Sequence, residues 1–235
     1  VHQGYIETHA CVVSLAADGM ATVWSSSQGQ FMVRAMCAKL CGMDNSKIKA
    51  IPAEIGGGFG GKTVVYLEPV AMMLAKQSGK PVKMVMSRDE VMRATGPTSG
   101  GHARCKLGAL NDGTLVAGEL EMEYEAGAFP GSPVGLGCMT GFAPYNMTDI
   151  LCTGWDVVVN RPKAAAYRAP GAPVAAFAVE SAMDELALKL GMDPLQLRIK
   201  NAAIEGTQAP YGVKFGRIGN LENLRAAEEH PHMSV

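Results

Sequence analysis

Ile48-Lys49-Ala50-Ile51-Pro52-Ala53-Glu54-Ile55, running into Gly56-Gly57-Gly58-Phe59-Gly60-Gly61-Lys62-Thr63, decides the fold class. The last eight residues match the GxxxxGK[ST] nucleotide loop letter for letter. Such a loop follows a central parallel strand, which is buried on both faces and therefore almost continuously apolar. Here the preceding segment carries Lys47, Lys49, Pro52 and Glu54, and reads as a strand near a sheet edge or end. Val82–Asp89 only weakly imitates the apolar strand ending in Asp that would complete a nucleotide site. A P-loop nucleotide-binding protein is thus the alternative reading, and a doubly wound fold is not expected.

Outward from the loop, Tyr5–Leu15 and Met20–Trp24 read as strands joined at Asp18-Gly19. Ser25–Ser27 offer N-cap hydroxyls to a helix over Gln30–Leu40, which Gly42 ends and Met32, Met36 and Leu40 give an apolar stripe. A helix is expected over Val64–Gln77, a strand over Val82–Met86 and a helical turn over Arg88–Arg93. Ala103–Leu110 and Thr114–Tyr124 flank Asn111-Asp112-Gly113, a hairpin signal. Gly127–Pro144 reads as a long loop, Leu151–Val159 as a strand and Asn160–Pro173 as irregular. The clearest helix is Val174–Leu190, with Val179, Met183, Leu186 and Leu190 facing the core. Gly191 stops it, Asp193-Pro194 starts a short helix, and Leu221–Glu229 forms a last, exposed one. Strands and helices mix without a βαβ repeat, which predicts an α+β fold with residues 1–235 as a single domain.

The 235 residues carry 21 basic and 22 acidic side chains, a balance that argues against general electrostatic binding to nucleic acid. Charged residues make up only 18%, against about 25% in an average soluble domain, so much of the surface is expected to be covered by other protein. The longest apolar runs, near Pro69–Ala75 and Ala172–Val179, fall far short of the roughly 20 residues of a membrane span. The chain starts at Val1-His2-Gln3 without Met or a signal-peptide pattern, and reads as a piece of a longer polypeptide. The six cysteines form no framework. Cys37 and Cys41 read as a buried pair in a reducing, cytoplasmic setting, and His230 and His232 as a solvated end.

Two stretches are left with chemistry to do. Five glycines around Phe59 let backbone N–H groups face a bulky, polar or anionic ligand at contact distance, with Phe59 as one apolar wall. Ala164-Ala165-Ala166-Tyr167-Arg168-Ala169-Pro170-Gly171 places one arginine among small residues at the start of a helix, where an anion is favoured. The bland alternatives are an Arg168 paired with an acid, and glycine loops used only for packing in a structural or assembly module.

Together these stretches resemble the molybdenum-binding large subunit of the molybdenum hydroxylases, the xanthine dehydrogenase and aldehyde oxidase family. The likeness also takes in Glu7-Thr8-His9-Ala10-Cys11, Ser25-Ser26-Ser27-Gln28 and Val179–Ala187, in the family's order. It implies that the chain is the first half of the molybdenum-cofactor region. Gln28, Gly58, Phe59, Gly60, Arg168 and Ala169 would then lie against a molybdenum–pterin cofactor, with a cytosine dinucleotide as one form of the pterin. No side chain would bind the metal directly. The reaction it implies is hydroxylation of a small-molecule substrate with water as the oxygen source. Electrons would leave through 2Fe-2S and FAD groups on partner subunits or domains.

The departures from the family matter as much. The family's catalytic glutamate lies in a Gly-Glu-Pro type motif of a later domain, so no catalytic residue is expected here; Gly118-Glu119-Leu120 is not that motif. Ala169 stands where the carbon monoxide dehydrogenase branch has a copper-binding cysteine. In the substrate pocket, Thr63 and Leu136 stand where the purine-oxidising branch has a glutamate and an arginine, and Pro170 where it has an aromatic residue. An aldehyde or N-heteroaromatic substrate is therefore expected rather than a purine.

Overall fold

The computed structural model describes residues 1–234, which gather into two compact units. The first comprises Val1–Ser99, Gly127–Phe129 and Asn160–Arg168. The second comprises Gly100–Ala126, Pro130–Val159 and the chain from Ala169 onward.

In the first unit, β1 (Ala10–Leu15), β2 (Ala21–Ser25), β3 (Ile48–Pro52) and β4 (Val82–Val85) form one sheet in the order β3-β2-β1-β4. β1 runs antiparallel to β2 and β4, and β2 pairs parallel with β3. Alternation sends Cys11, Val13, Ala21 and Val23 into the core, under α1 (Gln30–Cys41) and α2 (Glu68–Ser78). α3 (Arg88–Ala94) follows, opened by a capping box of Ser87 and Glu90. β3 is an edge strand, as Pro52 suggests.

α1 begins and ends where the sequence places it, and it buries the face of Cys37 rather than the stripe of Met32 and Leu40. Val33, Cys37 and Ala38 are buried, whereas Met32 and Leu40 are 46% and 58% exposed. The helix carries two apolar stripes. The smaller side chains fit the layer against the sheet, and periodicity alone does not choose between such stripes. The serines also do other work than capping: the N-cap is Gly29, which has no side-chain cap bond. Ser25 Oγ donates to Glu68 (2.5 Å), and Ser27 Oγ donates to Lys62 O (3.1 Å) while accepting from Gly29 N.

In the second unit, β5 (Gly101–Ala109), β6 (Leu115–Gly127) and β7 (Asp149–Val158) form a sheet in that order. Leu120, Met122 and Tyr124 pack in one core with Ala175, Val179, Met183 and Ala187 of α5 (Ala172–Leu190). Leu186 and Leu190 are only half-buried, packed against the edge of the core that Ala175, Val179, Met183 and Ala187 face. The segment read as a long loop contains α4 (Val134–Thr140). Two of its glycines are packing residues: a Cβ on Gly137 would meet Met122 and Tyr124 at 3.1 Å, and one on Gly141 would meet the Leu120 side chain, whereas Gly135 faces open space. α6 (Pro194–Lys200) starts on Asp193, whose carboxylate accepts from Leu195 N and Gln196 N. α7 (Asn220–Glu228) buries no residue. No helix among the described residues is long and apolar enough to cross a membrane.

Candidate functional site

The glycine loop owes its shape to a reversed turn. Gly61 N donates to Gly58 O (2.8 Å), and φ is positive at both central positions, +50° at Phe59 and +99° at Gly60. That is the φ pattern of a type I′ turn. A phenylalanine in the left-handed region is strained and persists only where its surroundings fix it.

Gln28 is the main fixture. Its Oε1 accepts from Gly60 N (2.8 Å) and Lys62 N (3.3 Å), and its own N–H donates to Lys62 O (2.9 Å). Both loop bonds fall on the oxygen, so the Nε2 amino group is left as an unused donor at an exposed position. Gly58 must be glycine for this contact, because a Cβ there would lie 2.5 Å from Gln28 Oε1. The N–H groups of Gly57, Gly58 and Phe59 donate to nothing among the described residues. The result is a cradle with successive free donors, the arrangement that suits anionic or strongly accepting ligand atoms.

Arg168 reaches the same place. Its N–H donates to Phe59 O (2.9 Å), and a Cβ on Gly60 would lie 2.6 Å from Ala166 O. Gln3 Nε2 holds Ala166 O at 2.8 Å, and Ala165 N donates to Pro97 O at 2.9 Å. The exposed Arg168 guanidinium pairs with no acid among the described residues, so the capping-pair reading fails. Gln28, Gly58, Phe59, Gly60 and Arg168 therefore converge within the first unit. Thr63 belongs there too, but its hydroxyl donates inward to Gly60 O (2.8 Å). Ala169, with φ +60°, and Pro170 belong to the second unit, as does Leu136 on α4, which is 48% exposed.

The same geometry disposes of the nucleotide loop. β3 lies at the sheet edge, α2 begins only at Glu68, and the Lys62 side chain is 0% exposed. A phosphate-binding lysine has to reach the ligand. Lys62 Nζ instead sits 2.6 Å from Glu7 Oε2 and 5.0 Å from the Tyr5 ring centroid.

This underlying layer escaped the motif reading, in which Glu7 and His9 appeared only within the family likeness. Tyr5 OH lies 2.7 Å from His9 Nε2. Burial first, then the Lys62 and His2 charges, lower the His9 pKa from 6.5 to about 4, so the ring is neutral. Desolvation pushes the Glu7 carboxyl up, but Lys62 and Gly56 N–H outweigh it and hold it below its ordinary value. The cysteines are all free; Cys37 is buried, and its burial raises the thiol to about 12. No group of three or more metal-ligating side chains occurs among the described residues.

Comparison with known proteins gives this geometry a context. Residues 1–202 match the family described as molybdopterin cofactor-binding domain. The chain is 34% identical over 232 residues to the nicotinate dehydrogenase large molybdopterin subunit of Eubacterium barkeri, covering 96% of this chain and 54% of that protein. It is 33% identical over 210 residues to the aldehyde oxidoreductase of Megalodesulfovibrio gigas, covering 88% of this chain and 23% of that one. The solved structure of aldehyde oxidoreductase from Desulfovibrio gigas superposes with a TM-score of 0.90 at 30% identity, over 95% of this chain and 25% of that chain. Quinoline 2-oxidoreductase from Pseudomonas putida 86 shares the fold, with a TM-score of 0.94 at 22% identity over 100% of this chain and 31% of that chain. The chain thus spans about half of the first relative and about a quarter to a third of the others.

Proposed function

This chain belongs to the molybdopterin cofactor-binding domain family, and on that premise we propose that its glycine loop, Gln28 and Arg168 hold a molybdenum–pterin cofactor. The observation that carries the reading is the cradle itself: a Gly58 where a Cβ would displace the Gln28 amide from the loop, flanked by unused N–H groups and by a Gln28 Nε2 that bonds nothing in the loop. When bound, such a cofactor supplies a Lewis-acidic, two-electron redox centre that activates water as the oxygen source.

The chain's own residues bind and orient. Gly57, Gly58 and Phe59 offer N–H donors, Gln28 Nε2 adds another, and Phe59, 47% exposed, presents an apolar face. Arg168 contributes an unpaired positive charge where negative charge gathers. Ala169 carries over as a residue of the cofactor loop. The general base and the remaining contacts come from the rest of the large subunit. Iron–sulfur and FAD subunits or domains take the electrons, and a cytosine dinucleotide extends the pterin. We place the enzyme in the cytoplasm.

For substrate, the reading is an aldehyde or an N-heteroaromatic carbon. Thr63 spends its hydroxyl on Gly60 O and so offers no acid to a purine. Leu136 and Pro170 likewise replace polar and aromatic recognition with apolar surface. Two missing charge-assisted hydrogen bonds, at about 1.5–3 kcal/mol each, amount to several powers of ten in kcat/KM. Steady-state kinetics on the molybdenum-loaded assembly provide the test. Aldehydes or N-heteroaromatics are expected to give the higher kcat/KM, and a preference for xanthine or hypoxanthine would overturn the substrate assignment.

A further inference from the structure

Five of the seven residues from Gly56 to Lys62 are glycine, and Gly56, Gly57, Gly58, Gly60 and Gly61 are the most freely rotating residues a chain can have. A cradle made of them needs a restraint from outside. One carboxylate oxygen supplies it at both ends. Glu7 Oε2 accepts from Gly56 N (2.8 Å) and from Lys62 Nζ (2.6 Å), while Glu7 N donates back to Gly56 O (3.2 Å).

The strut behind that oxygen is itself tied down. Arg88 donates to Tyr5 O (2.6 Å) and Ile6 O (2.8 Å), fixing the segment that carries Glu7. The Lys62 ammonium lies over the Tyr5 ring, and Tyr5 in turn holds His9. From Lys62 the restraint passes directly to the site, since Gln28 engages its backbone N–H and C=O as well as Gly60 N.

We propose that Glu7 and Lys62 are positioning residues, an ionic lock beneath the glycine loop that keeps its free N–H groups and Gln28 aimed at the cofactor. The ligand named here rests on the molybdenum–pterin reading; the lock itself does not. Neither residue touches the cofactor in this account. Lys62, the conspicuous residue of the nucleotide-loop pattern, thus serves the loop from behind.

The test compares wild type, Lys62→Met and Glu7→Gln, each expressed with the remainder of the large subunit. Hydrogen exchange is followed by mass spectrometry in a peptide spanning residues 55–63, alongside molybdenum and pterin content. Losing a charge-assisted tie is expected to speed exchange in that peptide about 10–100-fold in Lys62→Met, with β1 and α1 unchanged. Cofactor affinity should fall by about 10–100-fold, as for other residues that orient a binding shell. Glu7→Gln keeps an acceptor and removes the charge, so about a fivefold acceleration is expected, and it decides the matter if Lys62→Met fails to fold. Unchanged exchange at residues 55–63 in folded variants would overturn the lock. Wild type lacking molybdenum would instead refute the functional reading, while the exchange data still judge the lock.

Discussion

The two units bury polar groups in different ways. Gln3, His9, Ser25, Ser26, Ser27, Lys62, Glu68 and Thr95 are buried in the first, but only Asn201 and Thr207 in the second. In the second unit, Asn201 closes one joint: Nδ2 donates to Gly113 O and Leu197 O, and Oδ1 accepts from Leu115 N. All of its amide groups are used, and Thr207 Oγ1 accepts from Ile204 N. In the first unit, Ser27 Oγ donates to Lys62 O and Lys62 Nζ to Glu7, at the end of a loop that leaves donors unused. Buried polar ties are costly unless satisfied, so those at the end of the glycine loop point to a backbone shape worth holding.

If the second unit depends on apolar volume, a cavity there should be the most damaging single change. Met183 is 0% exposed, and Met183→Ala is expected to cost about 2–5 kcal/mol in denaturant unfolding. In the first unit, loss of one polar tie should come next. Ser25→Ala leaves Glu68, 5% exposed, with Tyr66 N as its remaining partner and should cost about 1–3 kcal/mol. A Ser25→Ala effect near zero would break the contrast between the units.

Acid sharpens the contrast further. His9 has a folded-state pKa of about 4 against an ordinary 6.5, and His2, lowered by burial and Arg88, shifts the same way. The unfolded chain therefore binds more protons between those values, so stability is full above about pH 6.5 and declines as pH falls toward 4. Glu7, held low, adds its own loss at still lower pH. The first unit is expected to lose exchange protection in that window before the second does. His9→Gln should flatten the profile, measured as melting temperature against pH.

The sequence announced much of this, and its failures have physical causes. Caps and turns are readable because their chemistry is local: Gly42 and Gly191 both end helices in the left-handed conformation. α4 was hidden because glycine argues for a loop, whereas Gly137 and Gly141 are there to let a helix approach the sheet. On α1, the Met32 and Leu40 stripe is exposed while Cys37 is buried as expected, because two apolar stripes compete on one helix. At the candidate site, the glycine loop and Arg168 stand out in the sequence as motifs, whereas Gln28 enters only through the family likeness. The Glu7–Lys62 pair, 55 residues apart in sequence, could not be seen until the fold brought it together.

We propose that the cradle formed by Gln28, Gly58–Gly60 and Arg168 holds a molybdenum–pterin cofactor. Metal and pterin analysis of the purified chain, assembled with the rest of its large subunit, tests it most directly. The account predicts one molybdenum and one pterin per wild-type assembly, and about 10–100-fold weaker retention in Gln28→Ala, which loses both the loop tie and the Nε2 donor. A wild-type assembly that carries no molybdenum, or that carries a bound nucleoside triphosphate in its place, would contradict it.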